Sequence, residues 1–227
     1  MIVTVCNEKG GVGKSTIAEN VAVRLAQTGK PTLLIDSDPQ GTSHTWSMHR
    51  KKHRPNAPKI DCERITGNLI EAVHDRAKRY QHIVIDCGGS DSEALRSSLL
   101  VAHRALIPTE VKRRDLSVTA QTWSLVETAN ERRSKPLKAR VVLNKCNPLP
   151  SSWSRIDEAC EALRFKGVQI AQHRLVSRVA YDDLEYRGGS VLDDPLEPET
   201  KKEKESREKA RDEMNALLME TLKKESE

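Results

Sequence analysis

The chain predicts an α/β fold, a doubly wound and mainly parallel sheet in a single domain of 227 residues. Three observations carry this. Short apolar runs bounded by turn residues alternate with stretches of helical period. Aromatic residues make up 3 % of the chain, with Phe165 the single phenylalanine, so the core must be built from Val, Leu, Ile and Ala, as suits strands covered on both faces. The third is length, which suffices for one sizeable core.

In chain order, the strands expected are 2–6, 32–36, 82–86, 104–108 and 139–144, with 168–170 as a weaker sixth. A helix is expected over 15–28, because Ile17, Ala18, Val21, Ala22, Leu25 and Ala26 share one broad face and Gly29 with Pro31 closes it. Further helices are expected over 67–79, 92–102, 115–133 and 153–165. "HRKKHRPNAPK" (49–59) reads as a basic, proline-bearing loop, either a solvated connection or a polyanion contact. The organisation is a body of residues 1–195 followed by a charged C-terminal helix over 196–227. On that helix Ala210, Met214, Leu217, Leu218 and Leu222 form a stripe expected to dock on the body. The stripe lacks Phe and Trp and its flanking charges are mixed, which disfavours a membrane surface.

Net charge is +5, and residues 201–227 are balanced, so the excess lies in residues 1–200, 30 basic against 25 acidic. That favours polyanionic partners no more strongly than it favours a solvated surface. Five cysteines (Cys6, Cys62, Cys87, Cys146, Cys160) without a C-x-x-C pair read as reduced and structural. The chain enters a strand at once and has no long apolar run, so a cytoplasmic protein is expected.

Chemistry concentrates in "NEKGGVGKST" (7–16), between the first strand and the first helix. The pattern G-x-x-x-x-G-K-[ST] fails at Glu8, where its first glycine would stand. Strand, Gly10-Gly11-Val12-Gly13-Lys14-Ser15-Thr16, then helix is nonetheless the arrangement in which backbone N–H groups wrap a phosphate chain. Lys14 would reach the β- and γ-phosphates, Ser15 would offer its hydroxyl to Mg²⁺, and Thr16 would contact the α-phosphate side. Carboxylates at the ends of later strands, Asp36 and Asp38 in "LLIDSDPQGT" and Asp86 in "HIVIDCGGSDS", are placed for metal or water, Asp86 through a bound water. "VVLNKCN" (141–147) puts Asn147 where a guanine-reading Asp would stand; an amide pairs with either base.

"KGGVGKST" resembles the deviant Walker A motif of the ParA/MinD group of ATPases, and the resemblance extends to about residue 195 through the Asp38, Asp86 and "RLVSRVAYDDLEYRGGSV" (174–191) segments, being most like small plasmid-partition ParA proteins. It implies a P-loop NTPase fold, ATP and Mg²⁺ as cofactors, and an ATP-sandwich homodimer. Lys9 would then reach the partner subunit's phosphates, Asp38 would position the attacking water, Asp36 would support the metal region, and Asn144 would lie at the adenine pocket. The family usually follows Asp86 with a small residue and two prolines; Gly88 and Gly89 stand there, which leaves that segment freer. The function implied is a partition ATPase that binds nucleoid DNA without sequence preference and is stimulated by a ParB-like centromere-binding adaptor. The alternative is a positioning ATPase for a protein cargo or a membrane surface. A metabolic enzyme with the same loop fits less well, since cluster-ligand cysteines are missing. Candidate DNA contacts are Lys112, Arg113 and Arg114 in an expected loop after "IPTEV", with Arg174 and Arg178; each reads equally as an exposed charge or an intradomain ion pair.

Overall fold

The computed structural model describes residues 1–90 and 92–223. Its elements are β1 (Ile2–Val5), α1 (Lys14–Ala26), β2 (Thr32–Asp36), α2 (Thr42–His53), β3 (Asp61–Arg64), α3 (Ile70–Arg76), β4 (His82–Asp86), α4 (Glu93–Val101), β5 (Arg104–Thr109), α5 (Arg113–Glu131), β6 (Lys138–Leu143), α6 (Trp153–Phe165), α7 (Val179–Glu185) and α8 (Lys201–Leu222). The strands form one six-stranded sheet in the order β3-β2-β4-β1-β5-β6, every pair parallel. This is the doubly wound architecture that the alternating runs predict.

Both sheet faces are apolar, and the pleat divides them. Val3, Val5, Leu34, Val84 and Leu106 point into one cluster with α1 and α8, while Ile2, Leu33, Ile35, Ile83, Ile85 and Ile107 point into the other with α4 and α5. That period of two explains why the central strands read as continuous apolar runs.

Several expectations are corrected. Residues 49–53 belong to α2, not a loop, because Trp46 and Arg50 are buried against the chain at 188–193. Arg50 forms a bidentate pair with Asp193 at 2.7 and 3.0 Å, and Arg54 donates to the Asp194 carbonyl. The sixth strand is β3, at the sheet edge, whereas Ile170 makes only an isolated bridge to Val141. Helix α5 starts at Arg113, so Arg113 and Arg114 lie in its first turn rather than in a loop.

Helix α8 begins at Lys201 behind a capping box between Thr200 and Glu203. Ala210, Met214, Leu217 and Leu218 of its stripe are buried beside α1 and the sheet, and Leu222 packs at the edge of that cluster. Residues 224–227 of the expected helix lie outside the described residues.

Candidate nucleotide site

Parallel pairing sends the C-terminal ends of β1, β2 and β4 to one sheet edge, where ligands bind in open α/β folds. In register, Asp36 faces Asp86 across β2 and β4, and Val5 faces Asp86 across β1 and β4. The loops leaving these ends surround a cleft of about 580 Å³, lined by Gly10, Gly11, Gly13 to Thr16, Asp38, Gly89, Ser90 and Lys145 among others.

Helix α1 opens onto this cleft at Gly13, with no side-chain cap and no acidic residue in its first turn. A helix start with free N–H groups and no competing carboxylate attracts an anion. Gly13 takes φ +88°, and a Cβ there would sit 2.3 Å from Asn144 Nδ2, so both conformation and space require glycine. Asn144 Nδ2 in turn donates to the Val12 carbonyl at 2.8 Å, and Lys145 Nζ to the Gly11 carbonyl at 2.7 Å. Lys145 itself holds φ +51°, an unusual conformation for a side-chain-bearing residue, which places it at the cleft rim. Gly89 explains the departure after Asp86: a Cβ there would lie 3.0 Å from Gly10 Cα, so this segment packs directly on the phosphate loop.

Of two buried ionisable groups here, Lys14 lines the cleft and Asp86 is fully enclosed. Lys14 donates from Nζ to the Lys9 carbonyl at 2.9 Å. Burial holds its pKa below the usual lysine range, opposed by the Asp86 and Asp38 charges. Asp86 is fully buried; Oδ2 accepts from Ser43 Oγ at 2.8 Å, and Oδ1 has no hydrogen-bond partner among the described residues. Burial pushes the Asp86 pKa up to about 7, against the pull of the nearby Ser15 and Ser43 hydroxyls. An oxygen donor with an unfilled acceptor beside a serine hydroxyl fits Mg²⁺, either directly or through water.

Asp36 is placed differently. Its Oδ1 accepts from the Asp38 N–H at 3.1 Å and its Oδ2 from the His44 N–H at 2.8 Å. Each oxygen therefore accepts one backbone N–H, which makes Asp36 a brace for the turn leading into α2. Asp38 lines the cleft, and Lys9 rests with Nζ 3.6 Å from Asp115 Oδ1 at the start of α5. Asn147 accepts from Leu149 N–H in its own turn.

The basic candidates separate. Lys112 pairs with Glu110, Arg178 with Glu213, and Arg174 lies over the Trp153 ring at 5.7 Å. Arg113 and Arg114 are exposed and have no ion-pair partner among the described residues. Sequence reasoning missed Ser43, Lys145, Asp115 and Asn7. Only Lys145 carried a local signal, as the residue after Asn144 in the strand-end N-K-x-N.

These features define a nucleotide-binding P-loop domain, and the comparisons agree. Residues 3–191 match the CobQ/CobB/MinD/ParA nucleotide binding domain family, and the chain belongs to it. It is 28 % identical over 190 residues to the maintenance of carboxysome distribution protein A of Halothiobacillus neapolitanus, covering 83 % of this chain and 85 % of that protein. It is 26 % identical over 197 residues to protein ParA of Rhizobium radiobacter, covering 84 % of each. Among solved structures, an ATP complex of a Cyanothece McdA variant superposes with a TM-score of 0.71 at 13 % identity, covering 100 % of this chain and 98 % of that one. Aquifex aeolicus MinD gives 0.66 at 16 % identity, covering 99 % of each. The chain is thus an ATPase of the ParA/MinD type.

Asp86 should make the nucleotide-free protein lose stability with rising pH. Its folded pKa, about 7, exceeds the ordinary aspartate value of 3.8, so its contribution is full below about pH 4 and is lost as pH rises through 7. At 1.36 kcal/mol per pKa unit, the penalty above pH 7 is up to about 4 kcal/mol. Asp86→Asn should therefore unfold at higher urea concentration than wild type at pH 8 and at a similar one at pH 4. Equal midpoints at pH 8 would contradict this.

Proposed function

We propose that this ATPase is a DNA-partition motor: ATP closes a sandwich homodimer, the dimer binds duplex DNA without sequence preference, and a ParB-like centromere-binding adaptor stimulates hydrolysis and release. The observation that carries the reading is the first turn of α5. There Arg113 and Arg114 stand exposed and unpaired among the described residues, one residue from the Asp115 that holds Lys9. The ion-pair partner of a nucleotide-loop lysine and an unpaired cationic surface thus share one helical turn. Nucleoid association follows from this reading. ParA of Rhizobium radiobacter is a relative over most of the chain, which supports it.

Within the site, Lys14 and the helix start would hold the phosphate chain, while Ser15, and Asp86 through a bound water, would hold Mg²⁺, which when bound offsets phosphate charge. Asp38 orients the attacking water. Lys9 leaves Asp115 and reaches the partner subunit's phosphates, supplying positive charge where negative charge develops. Asn144 lies beside the base.

A second reading, positioning of a protein cargo, is favoured by the carboxysome-distribution relatives, one of them from Gloeobacter kilaueensis at 31 % identity over 195 residues. DNA binding separates a nucleoid-bound motor from a cargo ATPase that uses another surface. Arbitrary duplex should be bound only with ATP, because a dimer doubles the phosphate contacts of a small basic patch, and binding should weaken steeply with salt. Reversing charge at Arg113 and Arg114 should weaken binding and flatten the salt slope. An unchanged affinity and slope would remove this turn from the interface.

Asp38→Ala should retain ATP, since Lys14, Mg²⁺ and backbone amides meet its charge, yet hydrolyse it roughly 10²-fold more slowly. Size-exclusion chromatography with ATP and Mg²⁺ should show a persistent dimer. A variant eluting as a monomer, or turning ATP over at the wild-type rate, would show that Asp38 does not orient the water.

A further inference from the structure

We infer that Asn7 is a positioning residue for Lys9, fixing the backbone from which that lysine acts and tying it to α5; this rests on the reading that Lys9 serves hydrolysis and dimerisation. Asn7 opens the phosphate loop and is completely buried. Its Nδ2 donates to the Pro108 carbonyl at 2.8 Å and to Thr119 Oγ1 at 3.1 Å. Its Oδ1 accepts from the Lys9 N–H at 3.0 Å, and Thr122 Oγ1 lies 3.3 Å away with its single proton shared between this oxygen and the Val118 carbonyl at 3.2 Å. The orientation of the amide is fixed, because a carbonyl can only accept and a backbone N–H can only donate. Aspartate here would aim a carboxylate at the Pro108 carbonyl, and an apolar side chain would leave buried donors and acceptors unpaired.

The other ends of these bonds lie on α5. Thr122 Oγ1 also accepts from the Glu8 N–H at 3.3 Å. Thr119 Oγ1 lies 2.8 Å from both Thr109 Oγ1 and the Asp115 carbonyl, and its single proton goes to one of them at a time. The Asp115 carboxylate holds the Lys9 ammonium. Lys9 is therefore tied to the first turns of α5 twice, through its backbone by way of Asn7 and through its tip by way of Asp115. When the tip leaves Asp115 for a phosphate, the Asn7 tie remains, and it determines where the side chain starts. Fully satisfied buried amides are rigid anchors of this kind.

A double-mutant cycle tests the assignment. Single-turnover hydrolysis of radiolabelled ATP with Mg²⁺ is measured for wild type, Asn7→Ala, Lys9→Ala and the double variant, together with affinity for a fluorescent ATP analogue. Asn7→Ala should slow hydrolysis by about tenfold or more, the scale expected of a misplaced reacting group. Its affinity for the analogue should stay within about threefold, because the loss is in turnover and not in binding. The double variant should hydrolyse at the rate of Lys9→Ala alone. A residue that only supports the fold would slow both backgrounds by the same factor, and that result, or a loss of analogue affinity matching the loss of rate, overturns the inference. A Lys9→Ala variant at the wild-type rate overturns the reading of Lys9 itself, and the inference with it. If Asn7→Ala does not fold, Thr122→Val, which keeps volume and removes the hydroxyl shared by Glu8 and Asn7, takes its place in the cycle with the same two outcomes.

Discussion

The cleft depends on two buried charges, the Lys14 ammonium and the Asp86 carboxyl, brought to one sheet edge and left partly unsatisfied. Lys14 donates to a carbonyl rather than to a carboxylate, and one oxygen of Asp86 has no partner among the described residues. Burying either group costs free energy, and the pKa of each moves toward its neutral form. A triphosphate with Mg²⁺ would meet both demands, the anion at Lys14 and the cation at Asp86. Sites of this kind trade stability for function.

The rest of the fold holds those two groups in place. All-parallel pairing aligns Asp36 with Asp86, and Asp36 then uses both oxygens to fix the turn into α2. From that turn Ser43 reaches Asp86, and further along α2 Arg50 grips Asp193, which is joined through its carbonyl to Arg211 of α8. A continuous set of packed and hydrogen-bonded groups therefore links the Asp86 carboxylate to the C-terminal helix. On the opposite side, Asn7, Thr119 and Thr122 join the phosphate loop to α5.

Legibility in the sequence follows locality. The phosphate loop was legible because its function resides in consecutive residues, and β1, β2 and β4 because both their faces are buried. Edge strand β3, reading Asp-Cys-Glu-Arg, carries no apolar signal since it is only half-covered. Helix α2 reads partly as a loop in sequence because its stability comes from Trp46 and Arg50 meeting residues about 140 positions away, which no local period records. Ser43 and Asp86 are 43 positions apart and Asn7 and Thr122 are 115 apart, so their pairing exists only once the sheet is assembled. Asp36 reads in sequence as a metal-region carboxylate, and only the assembled backbone shows that it also braces the turn into α2.

The central claim is that Asp86, with its unfilled oxygen, is the protein's contact to the nucleotide's Mg²⁺. Calorimetric titration of ATP in the presence of Mg²⁺ and in excess EDTA, on wild type and on Asp86→Asn, addresses it through one ratio. The account predicts that Mg²⁺ tightens ATP binding to wild type, and that Asp86→Asn loses most of that tightening while binding metal-free ATP at least as well, because a buried negative charge has been removed beside a triphosphate. The same Mg²⁺ enhancement in both proteins would contradict it.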